Sequence, residues 1–573
     1  MHSLLKIFNL VRTYKPFSLY VFIIIFIITS ILEMFGIGML IPLIAIILDP
    51  NFLINLSRPP YSLYIPDFFL ISNHDDLLIV ISTIVVLLYA FKNFFLLLSV
   101  YLISIFVGKI KANITNKLML NYLSQNYLYH LTKKNSEINI NIHQRVESIA
   151  NGSIASILYI TSEVLIVLSL IILIFIFGQI NIFFIFFLFI FFAVLVSKLL
   201  TKKIKRFGET KNFNQLKKFK VFSNLINNIR EVILLGKKNF AYLDFYNAEH
   251  VISKLDAKVA ALTRAPFFLF EMMGIIGLMV TIFYLRNLGY EAIEIVAICT
   301  LFAAICYRII PSLNKIIFFY YQIKFNHLIF TNILNELNLD PVIQFHDEKI
   351  NFQKLISLND IYFEYENKKS ILNNINLEIK KNTIIGIVGK SGSGKTTLLD
   401  IISGLILPTK GYYKIDDVII SNYYLSRKVQ NIISYASQNV TVLNDSLKKN
   451  ICFGLEDFSI DKKKYEKIID IVMLRDFVNS GKADMQLGDF GRNISGGQMQ
   501  RLGIARALYF DKEIMIFDES TSSLDIETEA KIIKNIKESN LDKTIIIVSH
   551  RFENLKYCEK IYKIDNGSIF LVS

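Results

Sequence analysis

Gly389-Lys390-Ser391-Gly392-Ser393-Gly394-Lys395-Thr396 lies between an apolar run, Ile384 to Val388, and an apolar-rich stretch that opens Thr397-Leu398-Leu399. The order reads as a buried strand, a glycine-rich turn and a helix. Glycines in such a turn let backbone N–H groups converge on phosphate oxygens, with a helix N-terminus behind them. Lys395 then reaches the terminal phosphates of a nucleotide, and Thr396 holds Mg²⁺. The stretch predicts a phosphate-binding loop with an α/β domain built around it.

The surroundings fit that reading. From residue 356 onward, short Ile/Val-rich strands alternate with helical patterns. Tyr365, in Phe363-Glu364-Tyr365, precedes the loop at a distance that lets its ring stack on adenine. Gln438, in Tyr435-Ala436-Ser437-Gln438-Asn439, follows a strand, and its amide can ligate Mg²⁺ and sense the γ-phosphate. Ser495-Gly496-Gly497-Gln498 opens a helix running from Met499 to Tyr509, a second anion-binding turn. The strand Ile514 to Phe517 ends in Asp518-Glu519. A carboxylate at a strand end can hold the metal, and the next one can polarise an attacking water. Asp525 follows, in Ser522-Ser523-Leu524-Asp525, and Ile545 to Ser549 delivers the imidazole of His550 toward the γ-phosphate.

The 573 residues are 53% hydrophobic and only 19% charged, too apolar for an ordinary soluble enzyme. The net charge of +14 suits either nucleic-acid binding or the basic cytoplasmic loops of a membrane protein. Its distribution selects the second. Apolar runs near 17–48, 77–107, 153–177, 179–200, 266–289 and 293–322 give about six spans of the ~20 residues that hydrocarbon requires. The first run is too long for a signal-peptide core and has no small-residue cleavage site, so it reads as a retained span. The long links at 108–152 and 201–264 are rich in Lys and Arg, while the links on the other side carry almost none. That asymmetry predicts both termini and both long links in the cytoplasm and leaves no role for nucleic acid. Residues 1–15, with Lys6, Arg12 and Lys15, predict an interfacial helix. The Pro- and aromatic-rich segment 49–76 predicts an external loop. Cys299, Cys306, Cys452 and Cys558 show no paired spacing and suggest neither disulfides nor zinc.

Helical periodicity through 218–236 predicts that the spans continue as helices beyond the membrane, forming hairpins that meet the soluble domain at turns near Thr132 to Glu137 and Asn227 to Glu231. Charges within or near the spans are costly unless they line a cavity or pair. Glu33, Lys92, Glu163, Glu271, Arg308 and Lys315 are of this kind. Lys92 and Arg308 either bind an anion in a central cavity or pair with Glu33, Glu163 or Glu271. Arg264, at the cytoplasmic entrance of the fifth span, is a third anion candidate.

The combined motifs resemble the nucleotide-binding domain of ABC transporters, and the whole chain resembles an exporter half-transporter. The resemblance implies an all-α six-helix transmembrane domain over 1–325, a linker over 326–355 and an α/β P-loop NTPase domain over 356–573. It assigns Tyr365 to adenine, Gly389 to Thr397 to the phosphates, and Thr396, Gln438 and Asp518 to the metal. It assigns Ser495, Gly496, Gly497 and Gln498 to the signature turn, Glu519 to the catalytic base, Asp525 to the D-loop and His550 to the switch, with ATP and Mg²⁺ as cofactors. The departures are mild: Ile494 stands before the signature serine, Asn382 stands where glycine is usual, and Gln486 to Arg492 follow the exporter pattern loosely. In that family the signature turn faces nucleotide held by another copy. One loop and one signature per chain therefore imply a symmetric homodimer with two equivalent sites. Leu32-Glu33-Met34-Phe35-Gly36-Ile37-Gly38 and Tyr307-Arg308-Ile309-Ile310-Pro311 look like bacterial flippases of the PglK type. That likeness implies a lipid-linked oligosaccharide substrate and the bacterial inner membrane; export of another lipid, a peptide or a drug, or an ATP-gated channel, stands as the alternative.

Overall fold

The computed structural model describes residues 16–39, 43, 74–176, 180–342, 348–365, 370–488, 491–520, 524–539, 542–549 and 555–573. The expected interfacial helix at 1–15, nearly all of the 49–76 segment, and His550 lie outside the described residues. The chain divides into two compact units, Met1–Tyr122 with Lys133–Leu339, and Leu123–Thr132 with Asp340–Ser573.

Among the described residues, the first unit contains six helices long and apolar enough to cross a membrane. They are Pro16–Gly38, His74–Leu123, Asn135–Ile176, Ile180–Asn227, Lys238–Asn287 and Ala292–Phe325. The second, fourth and fifth run 50, 48 and 50 residues. At 1.5 Å per residue a helix of that length is about 75 Å long, against about 30 Å of hydrocarbon. The spans therefore continue far past a membrane, as their periodicity predicts. A short helix, Ile229–Leu234, joins the fourth and fifth, and Gly236 turns the chain with a φ of +62°.

Two π-helical turns, Asn141–Arg145 and Ala150–Ile154, interrupt the lead into the third span. Beside them sits a buried polar network. Asn141 donates to the Tyr122 hydroxyl at 2.8 Å, and Arg145 donates to Asn141 at 2.6 Å and to Asn212 at 3.3 Å. Three helices are thereby tied by groups that burial would otherwise penalise. Most of the early part of the segment expected as a linker is helical. His327–Leu337 buries Ile329, Phe330, Ile333 and Leu337, and after it the chain passes into the second unit at Asp340.

The intramembrane charges pair. Glu33 meets Arg308 Nε at 2.7 Å and Lys92 at 3.5 Å, while Glu163 meets Lys315 at 2.7 Å and Arg308 at 4.0 Å. Lys92 also lies 4.1 Å from the centre of the Tyr89 ring. Lys92 and Arg308 are therefore not free anion ligands in this structure: pairing offsets the burial cost that a lone cation would carry. Glu271 does not join this group and is exposed. Arg264 is also exposed, and none of the ion pairs among the described residues includes it.

The second unit holds two sheets. One is antiparallel, in the order β2-β1-β4-β5, from Leu355–Phe363 (β1), Leu372–Lys380 (β2), Lys410–Ile415 (β4) and Val418–Ile419 (β5). The other has the order β10-β9-β3-β8-β7-β6, from Ile384–Gly389 (β3), Ile433–Ala436 (β6), Ile514–Asp518 (β7), Thr544–Val548 (β8), Lys560–Asp565 (β9) and Ser568–Leu571 (β10). Strands β6, β7, β8, β3 and β9 are mutually parallel. Strands β3, β7 and β8, at the centre of this sheet, are rich in buried Ile, Val and Phe, as a sheet covered on both faces requires. Parallel neighbours place all their C-terminal ends on one edge, where α/β sheets bind ligands. Residues 123–132, with the short helix Tyr127–Thr132, also belong to this unit. Gln125 donates to the Asp340 carbonyl at 3.0 Å, the Val342 N–H donates to the Ser124 carbonyl at 3.0 Å, and Leu128 packs against the core that includes Phe363. The first contact turn thus precedes the expected Thr132 to Glu137. Lys133 instead pairs with Glu336 within the first unit. Lys133, just beyond Thr132, stays with the helices, whereas Leu128, before it, packs on the core of the second unit.

A Cβ at Gly208 would stand 2.1 Å from the carbonyl oxygen of Phe325, a backbone atom that cannot rotate away. Gly208→Ala should therefore destabilise the first unit by about 1–3 kcal/mol. Gly108→Ala is the control, since its Cβ meets nothing within 4 Å. Thermal unfolding of both variants in detergent should show a lowered midpoint for the first alone.

Candidate nucleotide site

Strand β3 ends at Gly389, and the helix Lys395–Ile402 begins six residues on, with Gly394 at its N-cap in the left-handed region at φ +106°. A side chain there would be strained. A Cβ at Gly389 would lie 2.5 Å from the Ile564 carbonyl oxygen, so the loop closes this tightly only as glycine. Asn382, in the place of the expected glycine, does adopt a left-handed φ of +58°, and its N–H donates to Thr544 Oγ1 at 2.9 Å.

Lys395 is buried, with 6% of its side chain exposed. Its ammonium donates to the carbonyls of Gly389 at 2.8 Å and Lys390 at 3.1 Å, and it lies 3.6 Å from Glu519. Ser393 Oγ is buried with no partner among the described residues. Thr396 is exposed at the helix N-terminus, as are Lys390, Ser391 and Gly392, while Thr397 is buried. A buried cation, an unsatisfied hydroxyl and a first helical turn with free N–H groups form a chemically coherent phosphate cradle. The donor set also suits Mg²⁺, a hard cation that takes oxygen ligands: Thr396 and Asp518 offer a hydroxyl and a carboxylate, and Gln438 an amide oxygen.

The parallel strands bring the partners to the same edge. Glu519 has a left-handed φ of +47°, an uncommon conformation for a residue with a side chain. Its carboxylate accepts from Gln438 Nε2 at 2.7 Å. Asp518 accepts from the Tyr435 hydroxyl at 2.8 Å. Burial raises the Asp518 carboxyl above its ordinary range, the Tyr435 bond works in the opposite direction, and the Glu519 charge adds to the rise. Burial and the adjacent carboxylate push the Tyr435 phenol up, so it remains a donor at neutral pH. Tyr435 and Asp400 were not singled out from the sequence. Each lies in a core-like pattern, and only the packing of elements distant in sequence puts Asp518 near it.

The remaining sequence candidates stand apart from this cluster. Tyr365 packs edge-on against Phe363, with ring centres 4.9 Å apart. It borders a cavity of about 760 Å³ within the second unit, which Gln125, Leu128, Tyr129 and Thr409 also line. Ser495 caps the helix Gly496–Tyr509, and Gln498 returns the bond to the Ser495 N–H at 2.9 Å. Asp525 caps Ile526–Glu538 by accepting from the Thr528 N–H at 2.9 Å. None of the described hydrogen bonds of Ser495 or Gln498 reaches the 389–397 loop.

Asp400, on the helix that follows the loop, is pushed up to about 7, chiefly by burial and then by the nearby Asp518 charge. The folded chain then holds a proton that the unfolded chain releases near pH 4. Stability contributed by this group is therefore present at low pH and falls as pH rises from about 4 to about 7. Asp400→Asn should be the more stable protein at pH 8, with the advantage smaller at pH 5 and gone below about pH 4. Thermal unfolding midpoints of the full chain across that range check it.

Residues 372–522 match the ABC transporter domain, and residues 21–305 match the ABC transporter transmembrane region. Together the two matches cover well over half of the chain. An ATP-dependent lipid A-core flippase of Pseudoalteromonas translucida (strain TAC 125) is 35% identical over 219 residues, 38% of this chain and 37% of that protein. A leukotoxin translocation ATP-binding protein of a Pasteurella haemolytica-like species (strain 5943B) is also 35% identical, over 220 residues, 37% of this chain and 30% of that protein. The chain thus spans about a third of the length of these curated relatives. The solved structure of a bacterial Atm1-family ABC exporter with ATP bound superposes with a TM-score of 0.79, at 17% identity, over 96% of this chain and 94% of that one. The chain belongs to the ABC transporters, and it joins six membrane-spanning helices and one ABC domain in a single polypeptide with an exporter fold.

Proposed function

We propose that this chain is half of an ATP-driven exporter that works as a symmetric homodimer and flips a lipid-linked substrate. The observation that carries the ATPase reading is the meeting of Lys395, Gln438 and Glu519 at one sheet edge, over distances of 2.7–3.6 Å. Glu519 is the base: the Gln438 amide orients its carboxylate to take a proton from water. Mg²⁺, held by Thr396, Gln438 and Asp518, would neutralise charge developing on the transferred phosphate. Lys395 and the loop N–H groups bind the phosphates, and Tyr365 stacks on the adenine.

Two features support the dimer. Ser495 and Gln498 serve in their own chain only to cap a helix, and their turn is exposed for a second copy's nucleotide. The hairpin tip between the fourth and fifth spans leaves Ile233, Leu234 and Leu235 about 70% exposed, an apolar surface that its own unit does not cover. On this reading the spans sit in a bacterial inner membrane, with the basic hairpins and the ABC domain cytoplasmic.

The relatives do not select a cargo, because proteins named for a lipid and for a toxin are equally similar to this chain. Our reading of a polyprenyl-diphosphate-linked oligosaccharide rests on the first- and sixth-span motifs and on two features of the spans. A groove of about 450 Å³ between the third, fourth and sixth is lined mostly by Ile, Val and Leu. Its character suits a hydrocarbon tail. The charged cluster beside it has three cations, Lys92, Arg308 and Lys315, to two carboxylates, Glu33 and Glu163. Its excess positive charge, with exposed Arg264, suits an anionic headgroup that cannot cross hydrocarbon alone.

Glu519→Gln should keep ATP binding while hydrolysis falls about 100-fold or more, and ATP should hold the variant as a closed dimer in crosslinking. Near-normal turnover would remove Glu519 as the base. For the cargo, the protein is reconstituted in liposomes containing a polyprenyl-diphosphate oligosaccharide, lipid A or a labelled phospholipid. ATP-dependent movement of the first alone supports this substrate; movement of another lipid, or stimulation by apolar drugs with indifference to the diphosphate lipid, replaces it.

A further inference from the structure

Asp518 and Glu519 are adjacent in sequence, yet each is held by a different residue of one short segment. Tyr435 lies in β6, and its Cα partner in β7 is Ile516. Side chains in a strand alternate between faces, so Ile516 and Asp518 share the face that Tyr435 meets. The tyrosine ring leans one step along the strand, and its hydroxyl donates to Asp518 Oδ2 at 2.8 Å. Gln438 lies beyond the end of β6, where the chain has left the sheet, and its amide holds Glu519 at 2.7 Å. Tyr435 itself is fixed. It is half-buried, it packs against the main core of the second unit, and its strand is hydrogen-bonded along its length to β7.

The two holders therefore differ in kind. Gln438 is exposed on a connecting segment and can release Glu519 when that segment moves. Tyr435 is anchored in the sheet and keeps its carboxylate oriented whatever that segment does. We propose that Tyr435 is a positioning residue for the metal. By occupying Oδ2 of Asp518, it would leave Oδ1 available to Mg²⁺ and hold the carboxylate in the orientation that such an ion would need. Hydrogen-bond partners behind a metal ligand usually set its orientation and basicity. This inference rests on the proposed nucleotide site, and it goes beyond that proposal in naming what keeps the site in register.

The test separates metal from nucleotide. Mn²⁺ is titrated into the full-length protein in the presence of ATP, and the bound fraction is read by electron paramagnetic resonance. ATP binding without divalent metal is measured in parallel with a fluorescent ATP analogue. Tyr435→Phe should weaken Mn²⁺ binding about tenfold and leave metal-free ATP binding and the thermal midpoint unchanged. In an Asp518→Asn background the same substitution should have no further effect, because the bond's target is altered. Unchanged Mn²⁺ affinity in Tyr435→Phe overturns the proposal, as does a joint fall in metal-free ATP binding and thermal midpoint, which marks a purely structural role. A parent protein that binds no ATP, with or without metal, overturns the nucleotide site itself and this inference with it.

Discussion

A buried ammonium is expensive unless its neighbours replace the water it has lost. Lys395 has two loop carbonyls and Glu519 around it, and the geometry of the second unit follows from assembling that environment. The carbonyls come from a glycine turn that only Gly389 and Gly394 allow to close. The carboxylate comes from the strand next but one in the sheet, so β3, β8 and β7 have to lie side by side and parallel. Phosphate oxygens are better partners for the same ammonium than backbone carbonyls. The site is thus held together by a cation whose bonds a ligand can improve.

The membrane unit meets the same constraint and answers it with ion pairs. Glu33 on the first span holds Lys92 from the second and Arg308 from the sixth, and Glu163 on the third holds Lys315 and Arg308 from the sixth. Four spans are thereby linked through charge in a region where apolar contact alone distinguishes little between helix and lipid. Arg308 bridges the two carboxylates, so rearranging either pair changes the other. The π turns and the Asn141–Arg145–Asn212 network do comparable work at the lead into the third span.

Local chemistry also decides where the chain passes from one unit to the other. The segment after the second span gives Leu128 to the ABC-domain core, and its side-chain amides and backbone carbonyls bond residues 340–342. Lys133, the next residue, pairs instead with Glu336 on the helix that follows the sixth span. The division at Thr132 follows which groups a core accepts and which it rejects. The uncovered apolar tip at Ile233 to Leu235 is the opposite case, residues a core would accept with none in their own unit to receive them.

Much of this was legible in the chain alone. The six spans follow from length and hydropathy, and the parallel sheet follows from continuous Ile/Val runs between helical patterns. The loop from Gly389 to Thr396, the strand-end pair Asp518-Glu519, and Gln438 are set by local patterns that a strand–turn–helix context makes specific. Even the left-handed Asn382 was readable, since few other side chains tolerate that conformation. What no local pattern contained was partnership across the sequence. Lys92 and Arg308 lie 216 positions apart, and only helix packing shows that both meet Glu33. Tyr435 looks like any core aromatic until strand register puts Asp518 within reach of its hydroxyl. Composition and period determine which element a residue joins; which charge it faces depends on how distant elements are aligned, and that is decided only when they pack.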